Sequence, residues 1–182
     1  MAKSAEEFYT ENAENQAENY TDEDLAEEFL NMRERFAEAS ENKILDAGCG
    51  HGRDSKFFHE RGLNVTGIDI SEELIDIAKE KSEANFEVMD FRDLKFSDRR
   101  FDSIWASASI FFLPPEDMKT AIEEFSRVLR PGGRLFVSYK LGNGKFIKEK
   151  WRSKVEEWHI SRETGREMLE ASGFSIEEEK IN

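Results

Sequence analysis

Three glycines spaced by two, Gly48, Gly50 and Gly52, follow the short apolar run Ile44-Leu45-Asp46-Ala47 and precede Arg53. Bare backbone at such a place lets a ligand approach closely, and it equally serves a tight strand-to-helix turn. Three aspartates keep the same rhythm: Asp46 ahead of the glycines, Asp69 after residues 63–68, and Asp90 after residues 86–89. Carboxylates at the ends of successive parallel strands line one crevice. Such a crevice repels phosphate and accepts hydrogen bonds from hydroxyl and amine groups, so it suits a cationic nucleoside. Arg53 occupies the place where a pyrophosphate-binding loop needs its third glycine, which argues against a dinucleotide.

The elements that must position these residues alternate. Residues 43–46 read as a strand, the glycines as a turn, and the segment to Gly62 as a helix. Residues 63–69 read as a second strand, with Ser71 as N-cap of a helix carrying Leu74, Ile77 and Ala78 on one side. Further strands are expected at 86–89, 101–105, 134–139 and 174–178, with helices along Met118, Ala121, Ile122, Phe125 and Val128 and across 161–172. Repeated strand–helix units of this kind demand a parallel sheet with right-handed crossovers. The expectation is an α/β, doubly wound, mostly parallel sheet of six or seven strands in one domain: a helical cap over residues 1–41, then a core over 42–182. Leu25, Phe29, Met32 and Phe36 predict a cap helix over 22–39. Residues 141–154 read as irregular.

Charge narrows the partners. Against 26 Lys+Arg stand 40 Asp+Glu, a net charge of -14, so long-range electrostatics disfavour nucleic acid. The excess sits early: residues 1–42 hold 13 acidic and 3 basic residues. That segment has neither an apolar run nor a basic leader, so a soluble cytoplasmic protein without membrane contact is expected. One cysteine and three scattered histidines, His51, His59 and His159, give no metal-ligand spacing, and no metal is expected.

The runs Ile44-Leu45-Asp46-Ala47-Gly48-Cys49-Gly50-His51-Gly52, Val65-Thr66-Gly67-Ile68-Asp69-Ile70-Ser71, Met89-Asp90-Phe91 and Leu129-Arg130-Pro131-Gly132-Gly133-Arg134-Leu135 resemble, in order, the motifs of class I S-adenosylmethionine-dependent methyltransferases. Gly52-Arg53-Asp54-Ser55, Ser138-Tyr139-Lys140 and Gly142-Asn143-Gly144 are most similar to the small-molecule enzymes of the tellurite-resistance type. The resemblance implies a Rossmann-like fold, S-adenosylmethionine as cofactor and S-adenosylhomocysteine as product. It implies that Gly48, Cys49, Gly50 and Arg53 lie along the methionine part, with Asp46 near its ammonium. It further implies that Asp69 takes the ribose hydroxyls, Ile70 packs on adenine, and Asp90 and the Phe91 N–H read the adenine edge. Ala106 and Ser107 then face methionine and acceptor, and Phe8, Tyr9 and Tyr20 belong to a lid.

Transfer of an activated methyl group needs chiefly alignment and exclusion of water. A general base is needed only for a protonated acceptor; His51 is the candidate by position, with Ser107 and Tyr20 beside the reaction. His51 is otherwise an exposed loop residue. After the fourth strand stands Ala106-Ser107-Ala108-Ser109, not the Asn/Asp-Pro-Pro-aromatic signature of base-amine methylation, and a small-molecule acceptor is expected. Residues 140–154, with six basic residues and one acidic, read as a solvated lid edge. An RNA or protein methyltransferase using that segment, or a cofactor-binding module without turnover, are the alternatives.

Overall fold

The computed structural model describes residues 2–181. The chain opens with a helical cap. Ser4 accepts from the Glu7 N–H while the Glu7 carboxylate accepts from the Ser4 N–H, a reciprocal cap that starts α1 (Ala5–Glu11). Helix α2 (Ala13–Asn19) follows directly, and a single 3-10 turn (Asp22–Asp24) leads to α3 (Glu27–Ala39). The helix expected over 22–39 therefore begins five residues later. The reason is Arg33, whose side chain is only 2% exposed and grips Asp22 with both terminal nitrogens (2.9 and 2.7 Å), pulling that segment into a turn.

Five parallel strands make the central sheet in the order β3-β2-β1-β4-β5: β1 (Lys43–Ala47), β2 (Asn64–Asp69), β3 (Asn85–Val88), β4 (Phe101–Ala106) and β5 (Leu129–Val137). Helices α4 (Arg53–Glu60), α5 (Glu72–Lys81) and α6 (Pro115–Val128) supply the crossovers. Strand order reverses direction between β1 and β4, and open α/β sheets bind ligands at the strand C-termini beside such a reversal. On one face of the sheet, Leu45, Ile104, Ile122 and Phe125 are among the residues of the principal core. On the other, Trp105 is fully buried, stacks on Phe136 at 3.9 Å, and meets Phe29, Phe36 and Phe58 edge-on or tilted, so α3 is fastened to the sheet by aromatic packing.

The sheet has five strands, not six or seven. Residues 174–178 were expected as a strand, but after α7 (Arg162–Ala171) the chain runs on without ladder pairing. The tail carries four charges in succession, and its side chains find partners where its backbone does not. Glu177 meets Arg134, Glu178 meets Arg35, Glu179 meets Arg162 and Arg166, and Lys180 meets Glu28.

Nor are residues 141–154 irregular. A second sheet in the order β6-β8-β7 comprises β6 (Lys140–Leu141), β7 (Gly144–Lys150) and β8 (Ser153–Ile160). Strand β8 is the centre of this sheet, pairing with both β6 and β7. The hairpin turns on Trp151 and Arg152, both at positive φ (50° and 61°). Asn-Gly is the usual signal for that turn, so neither residue announces it. Lys3 bridges to Val155, and the Trp151 ring stacks on Phe8 at 5.8 Å, which ties the hairpin to the cap. No helix among the described residues is long and apolar enough to cross a membrane.

Candidate active site

At the C-terminal end of β1 the chain folds back on β2: the Gly48 and Cys49 N–H groups both donate to the Ile68 carbonyl (2.8 and 2.9 Å). Gly48 has φ +77°, and a Cβ there would sit 2.4 Å from Cβ of Ser109, so no other residue fits. Ser109 is fixed in turn by donating to the Ala47 carbonyl at 2.9 Å, and Phe91 approaches the same spot from β3. The loop thus gathers Gly48, Phe91 and the segment beyond β4. Above Gly50, at φ +55°, the nearest atom is Nε2 of Gln16 on α2, whose Oε1 is buried without a hydrogen-bond partner.

The three strand-end carboxylates do come to one end of the sheet, each differently held. Asp69 accepts from the Gly50 N–H (2.9 Å) and the Ser71 N–H (3.0 Å); burial raises its pKa, and these bonds oppose the rise. Asp46 is 2% exposed and accepts from Ser55 Oγ at 2.6 Å; burial, followed by the nearby Asp54 charge, pushes its carboxyl up to about 8. Asp90 is clasped by Arg92 through Nε and Nη2 at 2.5–3.0 Å, and Arg92 reaches on to Asp117 at 2.6 Å. Burial works against ionisation of Asp90, but the Arg92 contacts outweigh it and its pKa is lowered.

The remaining expected site residues differ in where their side chains go. The Cys49 side chain packs under α5 with Ile75, Ala78 and Phe86, and burial pushes its thiol well up, so only its backbone faces the loop. Arg53 turns to Asp54 (3.1 and 3.2 Å) and Asp22, away from the glycines. Ile70 is half-buried just past Asp69. Ala106 is buried, its carbonyl accepting from the Ser138 N–H, and Ser107 is half-buried beside it. His51 is not the exposed loop residue expected but is 6% exposed beneath the cap. Burial, then Lys81 and Arg53, lower its pKa to about 4, and its Nδ1 has no hydrogen-bond partner. A group titrating there is a poor proton acceptor at neutral pH. Tyr20 is 37% exposed, and its hydroxyl accepts from Lys150 of the second sheet. His59 is half-buried in the last turn of α4.

Beneath the loop lies a buried network that residue spacing did not reveal. Asp54 accepts from Arg33 (2.7 Å), Arg53 and Nε1 of Trp105 (2.9 Å), joining cap, α4 and β4. Two of its partners come from distant segments, and only the Gly52-Arg53-Asp54-Ser55 run named it. Tyr9 was also placed by sequence only as part of a lid. Burial first, then Tyr20, Asp69 and Glu157, push its hydroxyl well above the usual range, which locates it between the β2 carboxylate and the second sheet.

Residues 44–133 match the family described as "Methyltransferase domain". The chain is 36% identical over 121 residues to a malonyl-[acyl-carrier protein] O-methyltransferase of Hamiltonella defensa, covering 65% of this chain and 46% of that protein. Among solved structures, a SAM-dependent methyltransferase from Methanosarcina mazei superposes with a TM-score of 0.71 at 25% identity, over 76% of this chain and 82% of that one. The PH0226 protein from Pyrococcus horikoshii gives 0.72 at 25% identity, over 90% of each. The fold is therefore the Rossmann-like methyltransferase fold, and the methyltransferase-domain match lies within it, over residues 44–133. The chain spans about half the length of the curated relatives it matches.

Proposed function

We propose that this protein transfers the methyl group of S-adenosylmethionine to a small-molecule acceptor. The observation that carries the reading is the meeting of the glycine cradle at Gly48 with the Asp69 carboxylate at the C-terminal ends of β1 and β2. The residues fit a cationic nucleoside. The Asp69 oxygens accept from the Gly50 and Ser71 N–H groups, and a carboxylate with about four lone-pair sites keeps capacity for a ribose hydroxyl. Asp46 offers a carboxyl whose raised pKa an adjacent ammonium group would draw back down, and no side chain of the loop could reject a positive charge except Arg53, which is committed to Asp54. Asp90, the Phe91 N–H and Ile70 border the place for an adenine ring, where the Asp90 oxygens are shared with Arg92.

When bound, S-adenosylmethionine supplies a methyl group already activated by its sulfonium. The protein's work is then placement and drying. Gly48 and Gly50 bring backbone against the ligand; Ala106 and Ser107 border the acceptor side; Tyr9 and Gln16 cover the crevice from the cap. His51 holds the cap through the Tyr20 backbone, which leaves it a positioning role. The Gly52-Arg53-Asp54-Ser55 run supports the narrower likeness to tellurite-resistance enzymes, and the buried Asp54 gives that run a structural use.

Incubation with S-adenosylmethionine and a panel of thiol, hydroxyl, amine and carboxylate acceptors, with S-adenosylhomocysteine as readout, tests the activity. Calorimetry tests the cofactor separately: a folded protein that ignores millimolar S-adenosylmethionine, or that binds NAD equally well, refutes the reading.

A further inference from the structure

The two faces of the β7–β8 hairpin are charged unequally. Side chains alternate along a strand, and the register pairs Phe146 with Glu157, Lys148 with Val155 and Lys150 with Ser153 on one face. Lys140 of β6 joins that face, its Nζ donating to Glu157 at 2.5 Å. The opposite face pairs Lys145 with Trp158, Ile147 with Glu156 and Glu149 with Lys154, and its two lysines are balanced by two glutamates. The first face thus carries three lysines against the single carboxylate of Glu157.

That unbalanced face looks toward the cap and the segment beyond β4. Lys140 lies 4.4 Å from the Phe111 ring centroid, Lys150 lies over the rings of Tyr20 and Trp151, and Tyr9 feels both Glu157 and Asp69. It therefore borders the crevice on the side away from β3. Burial brings Lys150 down to about 8, with Lys148 adding repulsion, Glu157 opposing it and Lys140 adding more, so the three ammonium groups are close enough to disturb one another. Among the described residues Lys148 has no ion-pair partner. Beside the lysines, Phe146 is 45% exposed with His159 stacked on it at 4.1 Å, and His159 Nε2 faces the Glu157 carboxylate at 3.6 Å. In a chain of net charge -14, a partly dry cluster of like charges beside an open ring is the arrangement of a site for an anion.

We infer that the methyl acceptor is a small molecule bearing a carboxylate or phosphate, held by Lys140, Lys148 and Lys150 with its apolar part against Phe146. The inference rests on the methyltransferase reading, because it places the acceptor relative to the Asp69 side of the crevice. It also changes the reading of residues 140–154 from a solvated edge to one wall of the site.

The test uses the intact protein with S-adenosylhomocysteine bound, titrated with phenylacetate, phenylphosphate and the neutral phenylacetamide. Both anions, or one of them, should bind and the amide should not; whichever anion binds more tightly identifies the headgroup. Lys148→Gln and the double variant Lys148→Gln/Lys150→Gln should weaken anion binding, the double by at least about tenfold. Lys145→Gln/Lys154→Gln, on the balanced face, should change it by less than about twofold. S-adenosylhomocysteine affinity, measured first, should be unaltered in all variants. If wild type fails to bind S-adenosylhomocysteine, the methyltransferase reading fails. If it binds but treats amide and anions alike, if both double variants lose anion equally, or if an RNA oligomer binds more tightly than either anion, the acceptor proposal is overturned. The exposed Lys148→Gln variant keeps the test valid should the double variant disturb the contact of Lys150 with the cap.

Discussion

The two halves of the crevice are built in opposite ways. On the β1–β2–β3 side, recognition groups come from consecutive strand–turn–helix units, are mostly backbone and carboxylate, and are acidic. On the other side, the second sheet meets a cap more than a hundred residues away in sequence, and its crevice face is basic. The first half can be assembled by local geometry alone and offers one kind of partner, a cation. The second depends on side chains that can be exchanged without rebuilding the sheet. The difference teaches where a change of acceptor can arise without loss of the cofactor site.

The sharpest way to break that comparison is to strike the core that each half rests on. Trp105→Ala empties a site enclosed by Phe29, Phe36, Phe58 and Phe136 and removes one of the three residues that donate to the Asp54 carboxylate. It should cost about 3–5 kcal/mol in urea denaturation. Trp151→Ala, in a half-buried ring at the hairpin tip, should cost less than half of that. Equal losses would mean that cap, hairpin and sheet form one inseparable core.

Next in size, Asp69→Ala should weaken S-adenosylmethionine binding by about 1.5–3 kcal/mol in calorimetry, as for hydrogen bonds to a charged group. Lys148→Gln should leave that affinity alone.

The pH response separates two buried carboxyls of the acidic half. Asp46 has a folded pKa of about 8 against an ordinary 3.8, so its contribution to stability is full below about pH 4 and declines as pH rises through 8. Asp54 is the reverse: burial opposes its ionisation, but Arg53 and Arg33 hold its pKa below the ordinary value, so its contribution is lost in acid. Urea midpoints should therefore fall from pH 6 to pH 9 in wild type, and Asp46→Asn should flatten that alkaline limb. A profile unchanged by the substitution would show that Asp46 ionises freely.

The smallest effect is expected at Gln16. Its amide fills the space above Gly50 and leaves Oε1 unsatisfied, so Gln16→Ala should tighten cofactor binding by about 1 kcal/mol or less. Weaker binding would make Gln16 a ligand of the cofactor.

The same division decides what sequence reading reached. Asp46, the glycines, Asp69 and Ser71 follow one another within two consecutive strand–turn–helix units, so their types, order and approximate elements could be read directly. The second sheet escaped because its turn uses Trp151 and Arg152 in place of glycine or asparagine, and because lysine and glutamate on both strands blur the alternation. His51 was misjudged as exposed because its cover, α2, is contributed by a segment that no local pattern links to the loop. Arg33 illustrates the same limit: a cationic residue on an amphipathic helix, buried by two aspartates 11 and 21 positions away.

Beyond Phe174, which packs on the core, the tail is held by ion pairs, several of them exposed: Glu177 with Arg134 of β5, and Glu178 with Arg35 and Lys180 with Glu28 of α3. Such pairs fade as counterions crowd the surface. Concentrated salt should therefore loosen the tail and bare a row of unpaired peptide groups along the last strand, a template for another molecule of the same kind. For this acidic chain, brine would both quiet the repulsion that keeps copies apart and uncover the seam along which they could join, so its colloidal behaviour should worsen with ionic strength from two causes at once.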